Sequence, residues 1–207
     1  MPSIAKTNMK IAIIGHGNVG GALAKSWAQK GHDIIIGVRK ENDEKAAALV
    51  KQPYTTTASI PEAAKQADVI LVATPAKAAG EVAKTLGDVN GKVLIDATNN
   101  IRQPDTAFDV FKAKTEAEIV KCFNTTGYEN MRNPVYGMEA ADMFMAGDSE
   151  RAKRVAKQLA LDAGFAECYD FGGDDQAKAL EHLAYAWINL AIFQEHGRNM
   201  AFKMMRR

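Results

Sequence analysis

A glycine-rich turn between an apolar strand and a helix constrains the fold of this chain more than any other feature. The stretch Lys10–Gly20 reads KIAIIGHGNVG and contains the pattern G-x-G-x-x-G. A helix-compatible segment, Ala22–Lys30, follows it, and a second apolar strand, Asp33–Val38, comes next. In dinucleotide-binding units the three glycines permit the tight turn, the approach of bare backbone to a pyrophosphate, and close packing of helix on strand. The strand, turn and helix around the pattern therefore favour a dinucleotide site over a merely structural glycine turn.

The residues after the second strand indicate which dinucleotide binds. NAD sites place an acid about 20 residues past the glycines, where it accepts hydrogen bonds from the ribose 2′-hydroxyl. Here the strand ends at Gly37 and Val38, and the cations Arg39 and Lys40 follow. A guanidinium fork and an ammonium suit a phosphate dianion, so we expect NADP rather than NAD. The alternative is a solvated basic turn in which Glu41 pairs with one of the cations.

The overall charge and the cysteines argue against several other classes of protein. The chain has 26 Lys and Arg against 25 Asp and Glu, a net charge of +1, which gives no reason to expect nucleic acid or a membrane as partner. Cys122 and Cys168 stand alone and far apart in sequence, so neither a disulfide framework nor a metal site is predicted. The N-terminal segment lacks the apolar core of a secretory signal, and the apolar stretch Leu183–Phe193 is too short to cross a bilayer. We expect a cytoplasmic protein.

Predicted strands and helices alternate along the chain. The predicted strands are Lys10–Ile14, Asp33–Val38, Tyr54–Thr57, Val69–Ala73, Lys92–Asp96, Glu118–Phe123, Met143–Ala146 and Ala166–Asp170, with an irregular region at Tyr128–Ala141. This alternation indicates an α/β fold of the Rossmann type, a doubly wound, mostly parallel sheet extended by two C-terminal strands and a C-terminal helix. We assign residues 1–207 to a single NADP-binding domain, with a core at 10–170 and a C-terminal helical segment at 174–207.

The ends of the predicted strands point to further cofactor contacts. Ligands of such sheets bind beyond the carboxyl ends of the strands, so segments remote in sequence meet at one rim. Besides the glycine turn and Arg39-Lys40, these ends supply Thr74-Pro75, Thr98–Asn100 and Asn124–Thr126. Taken singly, each is an ordinary set of turn residues. Their common placement puts Thr74 and Pro75 under the pyrophosphate and nicotinamide ribose and Asn99 beside the nicotinamide. The acceptor-side candidates are Asn99, Asn124 and Thr125.

No acid–base pair is evident in the sequence, and the catalytic residues stay unassigned. A dehydrogenase acting on an alcohol or an imine needs a positioned proton donor or acceptor. None of the histidines has an obvious Asp partner, and no Lys–Asp pair is apparent. Hydride transfer between two flat rings depends chiefly on positioning, so we expect a planar acceptor such as a deazaflavin or a flavin. The alternatives are a non-catalytic NADP-binding redox sensor and a reductase of a small carbonyl or imine whose acid–base group is not recognised.

The whole chain resembles the single-domain NADPH-dependent oxidoreductases related to the enzyme that passes hydride between NADP and the 8-hydroxy-5-deazaflavin coenzyme. The matching stretches are GHGNVG, GVRK, ATP at Ala73–Pro75, DATNN at Asp96–Asn100, KCFNTTG at Lys121–Gly127, ADMFMAGD at Ala141–Asp148 and LEHLAYAWI at Leu180–Ile188. The fold also resembles the cytoplasmic flavin-using domain of six-transmembrane metalloreductases.

The resemblance implies roles for individual residues in holding the cofactor. It implies that Arg39 holds the 2′-phosphate, and that the pyrophosphate side is held by His16, Gly17, Asn18 and Val19. Thr74 and Asn99 are implied to approach the cofactor from the next strands. In the deazaflavin enzymes a Ser or Thr commonly precedes the arginine, whereas this sequence has Val38. The cofactor-binding residues we predict are Gly15, His16, Gly17, Asn18, Val19, Arg39, Lys40, Thr74, Pro75 and Asn99.

The C-terminal helix allows two interpretations. Leu183–Phe193 is apolar nearly all round, which is typical of a buried helix. It packs either against its own sheet or against a second copy, in a homodimer that also closes the acceptor pocket. Glu181 is either a buried acid near the active site or a first-turn carboxylate favoured by the helix dipole, and the second explanation is preferred.

Overall fold

A mostly parallel sheet of eight strands organises the chain. The computed structural model describes residues 8–40, 43–100 and 106–207. Its strands are β1 Lys10–Ile14, β2 Asp33–Val38, β3 Thr55–Ser59, β4 Val69–Val72, β5 Val93–Asp96, β6 Glu118–Cys122, β7 Val135–Tyr136, β8 Glu139–Ala140, β9 Met143–Ala146 and β10 Cys168–Asp170. Its α-helices are α1 Asn18–Gln29, α2 Glu44–Leu49, α3 Ile60–Gln66, α4 Ala79–Leu86, α5 Ala107–Lys114, α6 Tyr128–Arg132, α7 Glu150–Asp162 and α8 Ala177–Ile188. Short 3₁₀ turns precede α4 and α8.

The strand order confirms the predicted fold class. The sheet runs β10-β9-β6-β5-β4-β1-β2-β3, in which the order 3-2-1-4-5-6 of a dinucleotide-binding sheet is extended by β9 and β10. The strands β1 to β6 are parallel, β9 is antiparallel to β6, and β10 is parallel to β9. The central strands are apolar on both faces, as parallel strands covered by helices must be.

Two apolar cores cover the two faces of the sheet. One core joins the strands to α1, α2 and α7, and the indole N–H of Trp27 donates across it to the Leu159 carbonyl, 2.9 Å away. The other core joins the strands to α3, α4 and α5. Leu180 on α8 packs against β9, the strand next to the edge strand β10, in a smaller cluster with Phe144 and Ala146. This packing holds α8 beside the end of β6.

The direction of the strands decides which residues share an edge. Because β1 to β6 are parallel, their carboxyl ends all lie at one edge, called here the rim. Because β9 and β10 run the other way, their carboxyl ends lie at the opposite edge, and so does the start of α7. Residues such as Asp170 and Glu150 are therefore remote from the rim.

Three details differ from the sequence-based expectation. The region 128–141 is not wholly irregular, because it contains the short helix α6 and the antiparallel pair β7–β8. Helical structure ends with a π-helical turn at Asn189–Phe193, so it is shorter than the predicted segment 174–207. Cys122 and Cys168 are not isolated from each other, because the packing of β6, β9 and β10 brings their sulfur atoms to 4.0 Å as free thiols.

The described part of the chain contains no helix that is both long enough and apolar enough to cross a membrane.

Candidate functional site

The glycine turn has the geometry that the sequence pattern requires. Gly15 has φ of +98°, and a Cβ at this position would lie 2.6 Å from the Ala73 carbonyl oxygen. A Cβ on Gly20 would collide with the carbonyl oxygen of Gly15, so the helix packs against bare backbone. A Cβ on Gly17, in contrast, would meet nothing within 4 Å. Gly17 therefore faces open space at the point where a pyrophosphate is expected to approach.

The start of α1 is available to an anion. Gly17 is the N-cap residue, and no side chain caps the helix. The first turn contains no acidic residue, and Asn18 and Gly17 are exposed while Val19 is half-buried. The first N–H groups of a helix have no partner within it, and they carry the positive end of the helix dipole. This end of α1 can therefore bind phosphate oxygens.

A contact between His16 and Asp43 joins the glycine turn to α2, and it was not predicted from the sequence. Nε2 of His16 lies 2.9 Å from Oδ2 of Asp43. The other carboxylate oxygen accepts hydrogen bonds from the N–H groups of Lys45 and Ala46 and so caps α2. The N–H of Ala46 and then His16 hold the pKa of Asp43 below its usual range. Because Asp43 lies five residues beyond the end of β2, the expectation that ligands bind at the ends of the strands did not point to it.

Arg39 and Lys40 follow β2 at the rim, and both are exposed. Within the described ranges neither cation has an ion-pair partner. Glu41, the partner in the alternative interpretation, lies outside the described residues. The two cations are thus placed where the ribose 2′-phosphate of NADP would lie in a sheet of this order.

The end of β4 supplies Thr74 and Pro75. Ala73 continues the ladder past the strand by donating its N–H to the Ile14 carbonyl, 2.8 Å away, so Thr74 lies next to the glycine turn. Pro75 is exposed and is the N-cap residue of a 3₁₀ turn. The Thr74 hydroxyl is buried and unpartnered among the described residues.

Asn99 and Asn124 form a reciprocal pair of side-chain contacts at the ends of β5 and β6. Nδ2 of Asn99 donates to the Asn124 carbonyl at 3.1 Å, and Nδ2 of Asn124 donates to Oδ1 of Asn99 at 3.2 Å. Asn124 also donates to the carbonyl of Leu180 on α8, at 3.2 Å. Asn99 is exposed, whereas Asn124 is buried. The structure therefore brings these two predicted residues together.

Thr125, the other acceptor-side candidate, does not present its hydroxyl at the surface. It is 1% exposed, and its hydroxyl is directed towards the sulfur of Met143.

Phe123, the residue before Asn124, has a φ of +64°, which is rare for an aromatic residue. Phe123 is fully buried against Trp27, and this packing keeps its backbone in the unusual conformation that precedes Asn124.

A buried charged triad lies at the ends of the same two strands. Lys121 is fully buried, and its ammonium donates to Asp96 at 2.9 Å, to Glu181 at 2.7 Å and to the Thr98 carbonyl at 2.7 Å. Asp96 and Lys121 are paired residues of β5 and β6, and Glu181 reaches them from α8. The interpretation of Glu181 as a first-turn carboxylate is wrong, because it lies beyond the first turn of α8 and is 3% exposed. A lysine near the end of an apolar strand, aligned with an aspartate that ends the preceding one, is the signal that was missed.

The distribution of unpartnered polar atoms fits a polar ligand at the rim. Among the described residues, four buried side-chain atoms lack a hydrogen-bond partner: His16 Nδ1, Thr74 Oγ1, Thr98 Oγ1 and Asn124 Oδ1. Buried polar groups without partners are rare because they destabilise the folded state, and all four of these belong to residues at the strand ends. Two shallow hollows elsewhere are lined by residues such as Lys10, Asp33 and Lys92, at the amino ends of the strands. We conclude that the residues present fit NADP(H) along the rim.

Comparison with known proteins agrees with this geometry. Residues 10–100 match the model of the family described as NADP oxidoreductase, coenzyme F420-dependent. The F420-dependent NADP reductase of Methanothermobacter thermautotrophicus is 29% identical over 89% of this chain and 90% of its own length. A probable mitochondrial 3-hydroxyisobutyrate dehydrogenase of Dictyostelium discoideum is 28% identical over 88% of this chain, but the match spans 57% of that protein.

Solved structures give the same result. The crystal structure of a candidate F420-dependent NADP-reductase from Arthrobacter sp. FB24 superposes with a TM-score of 0.82 at 26% identity, covering 96% of this chain and 100% of that one. The reductive aminase of Aspergillus terreus, solved with NADPH and ethyl levulinate, has a TM-score of 0.67 at 22% identity. It covers 91% of this chain and 63% of the aminase, and at this identity it shows a shared fold alone.

Proposed function

We propose that the chain is a member of the family of F420-dependent NADP oxidoreductases, and that it transfers hydride between NADP(H) and a planar acceptor of the 8-hydroxy-5-deazaflavin type. Its similarity to NADP-dependent reductases makes the chain an NADP-dependent oxidoreductase. The identity of the acceptor, the roles of single residues and the dimer described below are our proposals.

The cofactor is held along the rim in the order of the strands. The glycine turn and the start of α1 bind the pyrophosphate, and Arg39 with Lys40 binds the 2′-phosphate. Thr74 and Pro75, which follow β4, lie under the middle of the cofactor. Asn99, which follows the neighbouring strand β5, lies beside the nicotinamide. The unpartnered atoms of His16, Thr74 and Thr98 support this path, because a polar ligand would supply their missing hydrogen bonds.

Among the described residues of the strand ends around Asn99, no acid or base is free, and this observation carries the proposal for a planar acceptor. In the segments 72–75, 96–99 and 121–125, at the ends of β4, β5 and β6, the charged groups are Asp96 and Lys121, and Glu181 joins them from α8. All three are buried, and both carboxylates are paired with Lys121. The other polar side chains of these segments are neutral amides and hydroxyls, and among them Asn99 is exposed. They can orient a ring, but they cannot supply a proton to a small alcohol or imine.

Hydride transfer to a deazaflavin does not need a protein acid. When bound, NADPH would supply a hydride from its nicotinamide, and the acceptor ring would take it at a carbon atom. The proton that completes the reduced deazaflavin goes to a ring nitrogen and comes from water. The protein then has to hold two rings face to face with the reacting carbons about 3–3.5 Å apart. The amide pair of Asn99 and Asn124 is suited to this positioning role.

A panel of acceptors tests the proposal. The protein is mixed with NADPH and, in separate reactions, the 8-hydroxy-5-deazaflavin coenzyme, FMN, FAD, a quinone and a cyclic imine, while the nicotinamide absorbance is followed. We expect the fastest oxidation with the deazaflavin. The imine is included because the Aspergillus reductive aminase shares the fold. Faster turnover of the imine would replace our proposal with the small-substrate alternative, and tight NADPH binding without any turnover would favour a redox sensor.

We also propose that a second copy of the chain covers the exposed apolar part of the C-terminal helix. Tyr185, Ile192 and Phe193 are 43%, 44% and 53% exposed, whereas Ala184 and Trp187 on the other side are buried. A homodimer would shelter this surface next to the acceptor side of the rim. Analytical ultracentrifugation of the wild type and of Phe193→Glu tests this: we expect a dimer that the substitution dissociates. A monomeric wild type at micromolar concentration would contradict the proposal.

A further inference from the structure

The buried triad of Lys121, Asp96 and Glu181 contacts the backbone of the loop that carries Asn99. We propose that the triad is a positioning device, which holds the loop of residues 98–100 so that the Asn99 amide is fixed towards the nicotinamide. This inference rests on the proposed function, because the place of the nicotinamide beside Asn99 is part of that proposal. Lys121 and Glu181 are therefore assigned as positioning residues and not as catalytic ones.

Three charged side chains hold three successive points of the loop backbone. The N–H of Thr98 donates to Oδ1 of Asp96 at 2.9 Å. The carbonyl of Thr98 accepts from the Lys121 ammonium at 2.7 Å. The N–H of Asn100 donates to Oε2 of Glu181. The anchors come from β5, β6 and α8, so the backbone on both sides of Asn99 is fixed by three separate elements.

The side chain of Asn99 is fixed by the same helix. Its contacts with Asn124 orient the amide, and Asn124 is in turn held by the carbonyl of Leu180. Leu180 and Glu181 are neighbours on α8. One turn of α8 therefore holds both the backbone and the amide plane of Asn99, and the triad connects this turn to the sheet.

The hydrogen bonds of the triad exclude a direct acid–base role for its lysine. An ammonium has three N–H donors, and those of Lys121 are directed at Asp96, Glu181 and the Thr98 carbonyl. The side chain is fully buried. Lys121 thus has no donor left for a substrate, and its effect on the reaction passes through the loop.

The chain offers a matched control for removing a buried, doubly paired lysine. Lys153 is 8% exposed and contacts Glu150 and Asp170, each at 2.7 Å. It lies at the start of α7, at the edge opposite the rim. Its carboxylate partners are more exposed than those of Lys121, and Lys153→Met therefore removes a doubly paired lysine without touching the loop of residues 98–100.

The test compares Glu181→Gln, Lys121→Met and their double variant with Lys153→Met. Binding of 2′,5′-ADP reports the adenosine half of the site, and the fluorescence of bound NADPH reports how tightly the nicotinamide is held. Turnover with the deazaflavin gives kcat and KM. Thermal unfolding shows which variants fold. Glu181→Gln keeps the ion pair of Lys121 with Asp96, so it leaves no unpaired buried charge, whereas Lys121→Met leaves two buried carboxylates and the double variant leaves one.

We expect the triad variants that fold to bind 2′,5′-ADP within about twofold of the wild type, to lose the NADPH fluorescence enhancement, and to lose about 10- to 100-fold in kcat. Lys153→Met should change none of the three. Unchanged NADPH fluorescence in the folded variants would overturn the inference, and so would an equal loss of 2′,5′-ADP binding. The fluorescence and 2′,5′-ADP measurements need no acceptor, so failure of the wild type to reduce any acceptor would refute the proposed function without deciding the role of the triad.

Discussion

Replacing Arg39 by alanine tests whether the cations after β2 bind the 2′-phosphate. Arg39 is exposed and has no ion-pair partner within the described residues, so its removal leaves no buried charge and should not destabilise the fold. A hydrogen bond to a charged group contributes about 1.5–3 kcal/mol, which corresponds to about 10- to 150-fold in Kd. Because solvent screens an exposed pair, we expect the lower part of this range at moderate salt. Affinity for NADH, which lacks the phosphate, should change by less than about twofold.

The assay is calorimetric titration of wild type and variants with NADPH and NADH at two salt concentrations. Lys84→Ala removes an exposed cation from the last turn of α4, away from the rim, and serves as the control. Arg39→Lys keeps the charge but loses the planar fork, so it should recover part of the affinity. Equal losses for NADPH and NADH in Arg39→Ala would refute the assignment of Arg39, as would a loss of the same size in Lys84→Ala.

Other consequences of the structure can be measured separately. Gly17→Ala should fold normally, because a Cβ there meets nothing within 4 Å, yet it should weaken NADPH binding by about tenfold or more. The control Gly80→Ala, which is equally unobstructed but lies in α4, should leave binding unchanged, and unaltered binding in Gly17→Ala would contradict the proposed pyrophosphate site. Burial raises the pKa of Cys122 well above its ordinary value, so iodoacetamide at pH 8 should label this thiol only as fast as the protein unfolds, and immediate labelling seen by mass spectrometry would contradict this. A backbone N–H at the start of α2 lowers the pKa of Asp43, and a serine hydroxyl and then an arginine lower the pKa of Glu118. The stability that these two carboxylates contribute is present above their ordinary pKa values of 3.8 and 4.5 and is lost as the pH falls through the lowered pKa values, so urea melts should show a falling free energy of unfolding in this acid range. A free energy of unfolding that rises there would refute this prediction.

The sequence predicted the fold class because its signals are local. Apolar strands of the right length, the glycine turn and the intervening helices are each readable within a short window. The order of the parallel strands then follows from the handedness and shortness of their connections. The antiparallel direction of β9 and the small β7–β8 pair were not predicted, because they depend on the path of one long connection.

The sequence predicted which strand ends form the candidate site, but it did not predict the contacts between their residues. Asn99 and Asn124 were expected at one rim, and the structure pairs them. The Lys121 triad depends on the register of β5 with β6 and on the docking of α8, neither of which is encoded within a short window. The approach of Cys122 to Cys168 depends in the same way on three strands, and these contacts between distant elements are what single-sequence patterns leave undetermined.

Transfer of an isotopic label shows whether hydride passes from NADPH to a deazaflavin on this protein. NADPH that carries two deuterium atoms at C4 is mixed in ordinary water with the enzyme and the oxidised 8-hydroxy-5-deazaflavin coenzyme, and the reduced product is analysed by mass spectrometry. We expect one deuterium on a ring carbon of the product, because the hydride passes directly between two rings held at the rim. A product without deuterium at that carbon would refute direct transfer, as would the absence of any reduced deazaflavin.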